Sequence, residues 1–328
     1  MTPKVLYHYT SPGGLTGILE SSALRATDAR FLNDALELKY AWSEFKSTLE
    51  ERAAEGTQYS EAYRAQLEAM RSANAEDLDL MENRVFSVSL TELPDDVPQW
   101  RSYASDGRGV AIGFDSDSIQ MLPVPYYRRT ETGDFERPET GDLVPLRAVN
   151  TGEIITGPAA LGKVGYGVKA RETAIGQQLW LIGQHCGTND VGTFDAKVFN
   201  CIHLIPIHLS ALALVKHEGF QSEQECRLTI PEHFPTGSAG QLAALKNVEP
   251  TVAWDSMPVN TVDVQFKEGG PALFKPYTAT SFPKPAVVKV VLGPNINAEL
   301  AIPATKRLLD RYGFGHTEIV PSEMSYRT

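Results

Sequence analysis

Cysteine is scarce in this 328-residue chain: Cys186, Cys201 and Cys226 are an odd number without C-x-x-C spacing. Neither a disulfide framework nor a thiolate zinc site is indicated, and the three read as buried thiols in a reducing compartment. Long apolar runs are missing too. No stretch could span a bilayer, and the segment from Met1 to His8 has neither a long apolar core nor a cleavage site, so a cytoplasmic protein with no membrane partner is expected. Positive charge is short, with 30 Lys and Arg against 41 Asp and Glu. The net charge of −11 repels phosphate backbones. The local exceptions, Arg128-Arg129 after Tyr126-Tyr127 and the scattered Arg101 and Arg108, are equally well explained as solvated loop. Repeats, low-complexity runs and an interdomain linker are absent, which implies one domain over residues 1–328. Asp106-Gly107-Arg108-Gly109 lacks a following Gly-Lys-Ser/Thr, so it reads as a tight turn before a strand and not as a phosphate loop. His203 and His208 lack the i, i+4 spacing of a helical metal pair, and no metal site is expected.

What is present is an ordinary globular balance, 42% apolar and 22% charged. Residues 4–10 alternate as a strand, with Val5, Tyr7 and Tyr9 on one side and Leu6, His8 and Thr10 on the other. Ser11-Pro12 then starts a helix, because serine caps and proline suits a first turn. A strand near Leu24 to Ala26 follows, then helices to about residue 53 and over roughly 60–80. Residues 85–90 alternate again, setting Phe86, Val88 and Leu90 against Ser87 and Ser89. Residues 128–165, rich in Gly, Pro and Thr, read as a loop-rich insertion with one strand at Leu143 to Val149. From 168 to 215 the pattern is helical and apolar, broken or kinked at Pro206. Glu223-Gln224-Glu225-Cys226-Arg227-Leu228 alternates, placing Glu223, Glu225 and Arg227 together on one face. Strands near 261–266 and 276–282 and a closing β-α-β unit complete the chain.

Four polar clusters could carry chemistry: His8 with Thr10, Ser87 with Ser89, Glu223 with Glu225, and Asn33-Asp34 with Glu37. Each has a plain structural alternative. A single strand histidine can be a satisfied structural one, and alternating serines occur on any half-exposed strand. The acidic pair with Arg227 can be a solvated strand face with an internal ion pair. Asp34 and Glu37 fit a helix-start cap, although Asn33 and Asp34 lie just outside the helix, where a loop could reach a cleft.

Chain order adds a resemblance. His8-Tyr9-Thr10 followed by Gly14-Leu15-x-x-Ile18-Leu19, small hydroxyls on a middle strand and E-x-E on a late one resemble the layout of ADP-ribosyltransferases. Leu6-Tyr7-His8-Tyr9-Thr10, Phe31-Leu32-Asn33-Asp34-x-x-Glu37, Phe86-Ser87-Val88-Ser89, Gln99-Trp100-x-x-Tyr103, Phe220-x-x-Glu223-x-Glu225-x-Arg227 and Ser322-x-x-x-Tyr326-Arg327 resemble, over nearly the full length, the bacterial family of domain of unknown function 2971.

The first resemblance implies an α+β domain of split, largely antiparallel sheets with flanking helices. It implies NAD as substrate, cleavage of the nicotinamide–ribose bond, and transfer of ADP-ribose to an acceptor, with hydrolysis as a relative; the acidic balance of the chain favours a protein or small-molecule acceptor over nucleic acid. A role in toxicity, phage defence or stress response would follow. In these roles Glu225 stabilises the oxocarbenium-like ribose, an effect of several kcal/mol or roughly 10²- to 10³-fold in rate. Glu223 orients or deprotonates the acceptor. His8, with Tyr9 and Thr10, holds the adenosine-side ribose, Ser87 and Ser89 shape the nicotinamide pocket, Trp100 or Tyr103 stacks on a ring, and Arg227, Asn33 and Asp34 border the ligand. The alternatives are a nucleotide-binding domain without turnover and a protein-interaction module.

Overall fold

The computed structural model describes residues 5–32, 35–77, 84–125, 156–187, 193–202, 204–231, 263–266 and 274–324. The expected Asn33 and Asp34, the strand at 143–149, His203 and the Tyr326-Arg327 pair lie outside them. Strand β1 (Val5–Thr10) passes directly into α1 (Pro12–Ser21), whose first turn is closed by the Ser11 hydroxyl accepting from Gly14 N. Strand β2 (Ala23–Asp28), α2 (Ala35–Ala54), α3 (Ser60–Ser72) and β3 (Val85–Thr91) follow. Asp96 caps the short α4 (Val97–Tyr103), which leads to β4 (Val110–Asp115) and β5 (Met121–Pro125). Then come β6 (Thr156–Lys163), β7 (Gly165–Tyr166), α5 (Gly167–Cys186), α6 (Phe194–Ile202), α7 (Ile205–Leu212), β8 (Val215–Lys216) and β9 (Glu225–Pro231). Strands β10 (Asp263–Phe266), β11 (Phe274–Ser281) and β12 (Val287–Leu292), helix α8 (Ala298–Tyr312) and β13 (Glu318–Pro321) end the chain.

The fold is mixed α+β around a curled mixed sheet. Among the described residues eleven strands join one sheet, with a separate parallel pair β7–β8. Pairing is antiparallel except at β12–β13, which close the β-α-β unit expected at the end of the chain. Strand β3 is the branch point. One of its edges pairs with β9 from Val85↔Pro231 to Thr91↔Glu225. Its other edge is shared end to end, with β2 at Thr27↔Ser87 and Asp28↔Phe86 and β1 at the single pair Tyr7↔Thr91. Strand β1 is otherwise zipped to β4 along its whole length. The expected pair of sheets is thus one sheet, joined across β1 and β3 by one residue pair.

The two largest hydrophobic clusters among the described residues flank this arrangement, and a smaller one joins Tyr7, Tyr9, Trp100, Ala104, Ala111 and Val291. Leu6, Phe86, Val88, Leu90, Ile112, Phe114, Leu228 and Ile230 share one of the two with α1 and α8. The other gathers α2, α3, α5, α6 and α7 around Trp42, Phe45 and Met70. Each fully buried large side chain contributes about 1.5–3 kcal/mol, and α7 of this layer packs against β3 and β9. Every residue of β9 is consequently buried, and Ser87 is only 3% exposed. The solvated face read for Glu225 and Arg227 is corrected here, whereas the serine face of β3 is half-exposed, with Ser87 buried and Ser89 exposed: period two shows which residues share a face, but not whether that face meets water.

The helical stretch is broken at Pro206, as expected: α6 ends at Ile202 and α7 starts afresh at Ile205, with the proline in its first turn, where its missing N–H costs nothing. The carboxyl-terminal end of the expected 128–165 insertion is not loop, since β6 lies in the sheet between β5 and β9. No helix among the described residues is long and apolar enough to cross a membrane.

Candidate functional site

Where the β1–β3 ladder stops, a side chain takes its place. The ring Nδ1 of His8 lies 3.0 Å from the Ser89 carbonyl oxygen. A carbonyl only accepts, so Nδ1 carries the proton and donates, which leaves Nε2 with a lone pair. Burial lowers the pKa of His8 more than the Ser89 carbonyl raises it, and the ring is held neutral.

The acidic pair is arranged differently from two positions on one strand. Glu223 ends a 3₁₀ turn (Glu218–Glu223), Gln224 adopts the left-handed conformation at φ 44°, and β9 begins only at Glu225. The reversal turns Glu223 off the strand, but Lys216 brings the two carboxylates back together. Its Nζ donates to Glu223 Oε2 at 2.7 Å and to Glu225 Oε2 at 3.1 Å. Arg227 holds Glu225 from the other side, Nε donating to Oε1 at 2.8 Å and Nη2 to Oε2 at 3.1 Å, while its Nη1 donates to the Ala213 carbonyl at 2.6 Å. The ammonium of Lys216 also lies 4.5 Å from the centre of the Phe220 ring.

Burial alone would raise the Glu225 pKa. The Arg227 guanidinium, the Lys216 ammonium and a hydrogen bond from Ser89 outweigh it, so the carboxyl is held below its usual range. Backbone bonds lock the same segment: Tyr166 OH accepts from Glu225 N at 2.8 Å, and Thr91 Oγ1 donates to the Glu223 carbonyl at 2.6 Å.

These groups border a cavity of about 60 Å³, with His8 and Tyr9 on one wall, Ser89 and Thr91 on another, Gln99 and Tyr103 of α4 above, and Glu223 and Glu225 at the end. Six expected site residues therefore converge: His8, Tyr9, Ser89, Tyr103, Glu223 and Glu225. Tyr9 is already engaged, since its hydroxyl donates to the Leu93 carbonyl and accepts from Asp96 N.

Four others do not line the cavity. Trp100 is fully buried, edge-on to Tyr9 at 4.7 Å, and its indole N–H is committed to Asp95 at 2.6 Å, so it cannot stack on a ligand. Ser87 faces the helical layer, and Arg227 is consumed by Glu225 and Ala213. Thr10 turns toward α1, where its hydroxyl abuts Gly14. Sequence reasoning missed Lys216, which carries no motif and follows an apolar helix, and assigned no site role to Gln99, although it stands in the quoted motif Gln99-Trp100-x-x-Tyr103.

A family model described as a protein of unknown function (DUF2971) matches residues 99–228. The match covers part of the chain, not nearly all of it. It runs from Gln99 in α4 to Leu228 in β9, taking in Tyr103, Lys216, Glu223, Glu225 and Arg227 while leaving out His8 and Ser89. Searches of the curated proteins and of the solved structures found no match.

Proposed function

We propose that the cavity between β1, β3 and β9 is an NAD site of the ADP-ribosyltransferase kind, in which the nicotinamide–ribose bond is cleaved and ADP-ribose passes to a protein or small-molecule acceptor. The observation that supports it is the meeting of His8 and Glu225, far apart in sequence, on one cavity. The neutral His8 offers Nε2 as acceptor to a ribose hydroxyl. The ionised Glu225 supplies the negative charge that a ribose oxocarbenium centre needs. Glu223, tied only to Lys216 through its carboxylate and with its side chain 21% exposed, is the group able to take the acceptor's proton.

One observation favours a second reading, a nucleotide-binding domain without turnover. Both oxygens of Glu225 are already occupied by Arg227 and Lys216, which spread the charge that catalysis would use. The cavity is also small against the ~300–1,000 Å³ typical of small-molecule sites, so NAD requires it to open.

The purified protein should be titrated with NAD by calorimetry while free nicotinamide is followed by chromatography, with and without a cell extract as acceptor source. Saturable binding with turnover that falls roughly 10²-fold or more in Glu225→Gln supports the enzyme. Saturable binding without turnover supports the second reading. No binding by a folded protein sinks both, and His8→Ala, which leaves the buried ion pairs intact, should weaken binding in either.

A further inference from the structure

Cys186 and Cys201 stand apart from the cavity, and their sulfurs are 2.8 Å from one another against about 2.05 Å in a formed disulfide. Both are free thiols and fully buried in the helical layer. Cys186 is the last residue of α5 and Cys201 lies near the end of α6, fifteen residues on. We propose that this pair is a redox site, converted by hydrogen peroxide into a disulfide that staples α5 to α6 and returned to two thiols by exchange with a dithiol reductant.

The two thiols are not equivalent. The hydrogen bond from Cys201 and the nearby Lys197 ammonium lower the Cys186 pKa against its burial, whereas the same partnership and burial raise that of Cys201. Cys186 is therefore the attacking sulfur. Its thiolate attacks one peroxide oxygen, the O–O bond breaks, and the departing hydroxide takes a proton as water, leaving a sulfenic acid on Cys186. The Cys201 sulfur then attacks the Cys186 sulfur, the S–O bond breaks, and the hydroxyl leaves with the Cys201 proton as a second water. Two thiols lose two electrons in total, and one peroxide becomes two waters. Access comes from the terminal turn of α5, which frays more readily than a helix interior. Cys226 lies in the other cluster, across the sheet, and belongs to no part of this reaction.

The native full-length protein should be treated with hydrogen peroxide, denatured, alkylated with N-ethylmaleimide and weighed intact, then digested without reductant. One adduct in place of three, a peptide linking Cys186 to Cys201, and recovery of three adducts after dithiothreitol are expected. The disulfide should raise Tm by roughly 5 °C. Cys201→Ser should show neither the cross-link nor the shift, and Cys186→Ser serves the same purpose if that variant does not fold. Three adducts retained under peroxide, a cross-link through Cys226, or oxygen addition at Cys186 without a cross-link would each overturn the proposal.

Discussion

The chemistry of single residues is set by which partners burial leaves them. Glu225 is an ionised acid only because Arg227 and Lys216 accompany it out of water, and removing either would strand a buried charge. His208 is the opposite case. It is fully buried between α3, α5 and α7, packs on Phe45 at 5.0 Å, and is depressed to a pKa of about 3 by burial. Its Nδ1 meets Gln178 Oε1 at 2.9 Å and its Nε2 meets Gln66 Oε1 at 3.4 Å. A neutral imidazole has one donor and one acceptor, so two carbonyl oxygens cannot both be served. Turning the Gln66 amide over lets its Nε2 donate to the ring's unprotonated nitrogen while Nδ1–H donates to Gln178 Oε1. Because the folded pKa lies below the ordinary value of 6.5, the stability this neutral ring contributes is complete above pH 6.5 and lost as pH falls toward 3. Urea unfolding should show a loss of roughly 3 kcal/mol from this residue between pH 7 and pH 4, and His208→Gln should lose correspondingly less over that interval.

At the scale of elements, local signals marked where a helix starts better than where it stops. Ser11-Pro12 marks the start of α1 through a capping oxygen and a proline in the first turn, whereas α3 stops at Ser72, short of the helix expected over roughly 60–80. The junction of β1 and α1 is unusually tight. A Cβ on Gly14 would stand 2.0 Å from Thr10 Oγ1 and 3.2 Å from Thr10 Cβ, although the alanine that carries it favours a helix. Gly14→Ala should therefore destabilise by about 1–3 kcal/mol despite its better propensity. Thr10→Ala in the same chain should restore most of the loss, as thermal unfolding of the three variants would show. The alternation of β3 and β9 was equally legible, and the register Val88↔Leu228 and Ser89↔Arg227 pairs like with like. What alternation left open was the environment of the polar side, because the helices that cover it are distant in sequence.

For the whole molecule, the branch at β3 is the organising feature. A strand held on both edges and buried along its length except at Ser89 can open only when much of the structure opens with it. Amides from Phe86 to Leu90 and from Cys226 to Ile230 should accordingly exchange slowest by deuterium exchange and mass spectrometry, and those of the terminal strand β13 faster. Equal rates would mean that the sheet opens as one unit, with no separation at the single pair Tyr7↔Thr91. The amino-acid sequence by itself determined the periods, caps and turns, hence most strands and helices and the identity of His8, Ser89 and Glu225 as polar groups on β-forming segments. These are local matters of backbone geometry and side-chain spacing, decided within a few residues. Only the tertiary structure decided that Lys216 joins the two acids, that Arg227 and Trp100 are spent on internal partners, and that two cysteines meet. Those outcomes depend on burial and on contacts between distant segments, which no local pattern encodes.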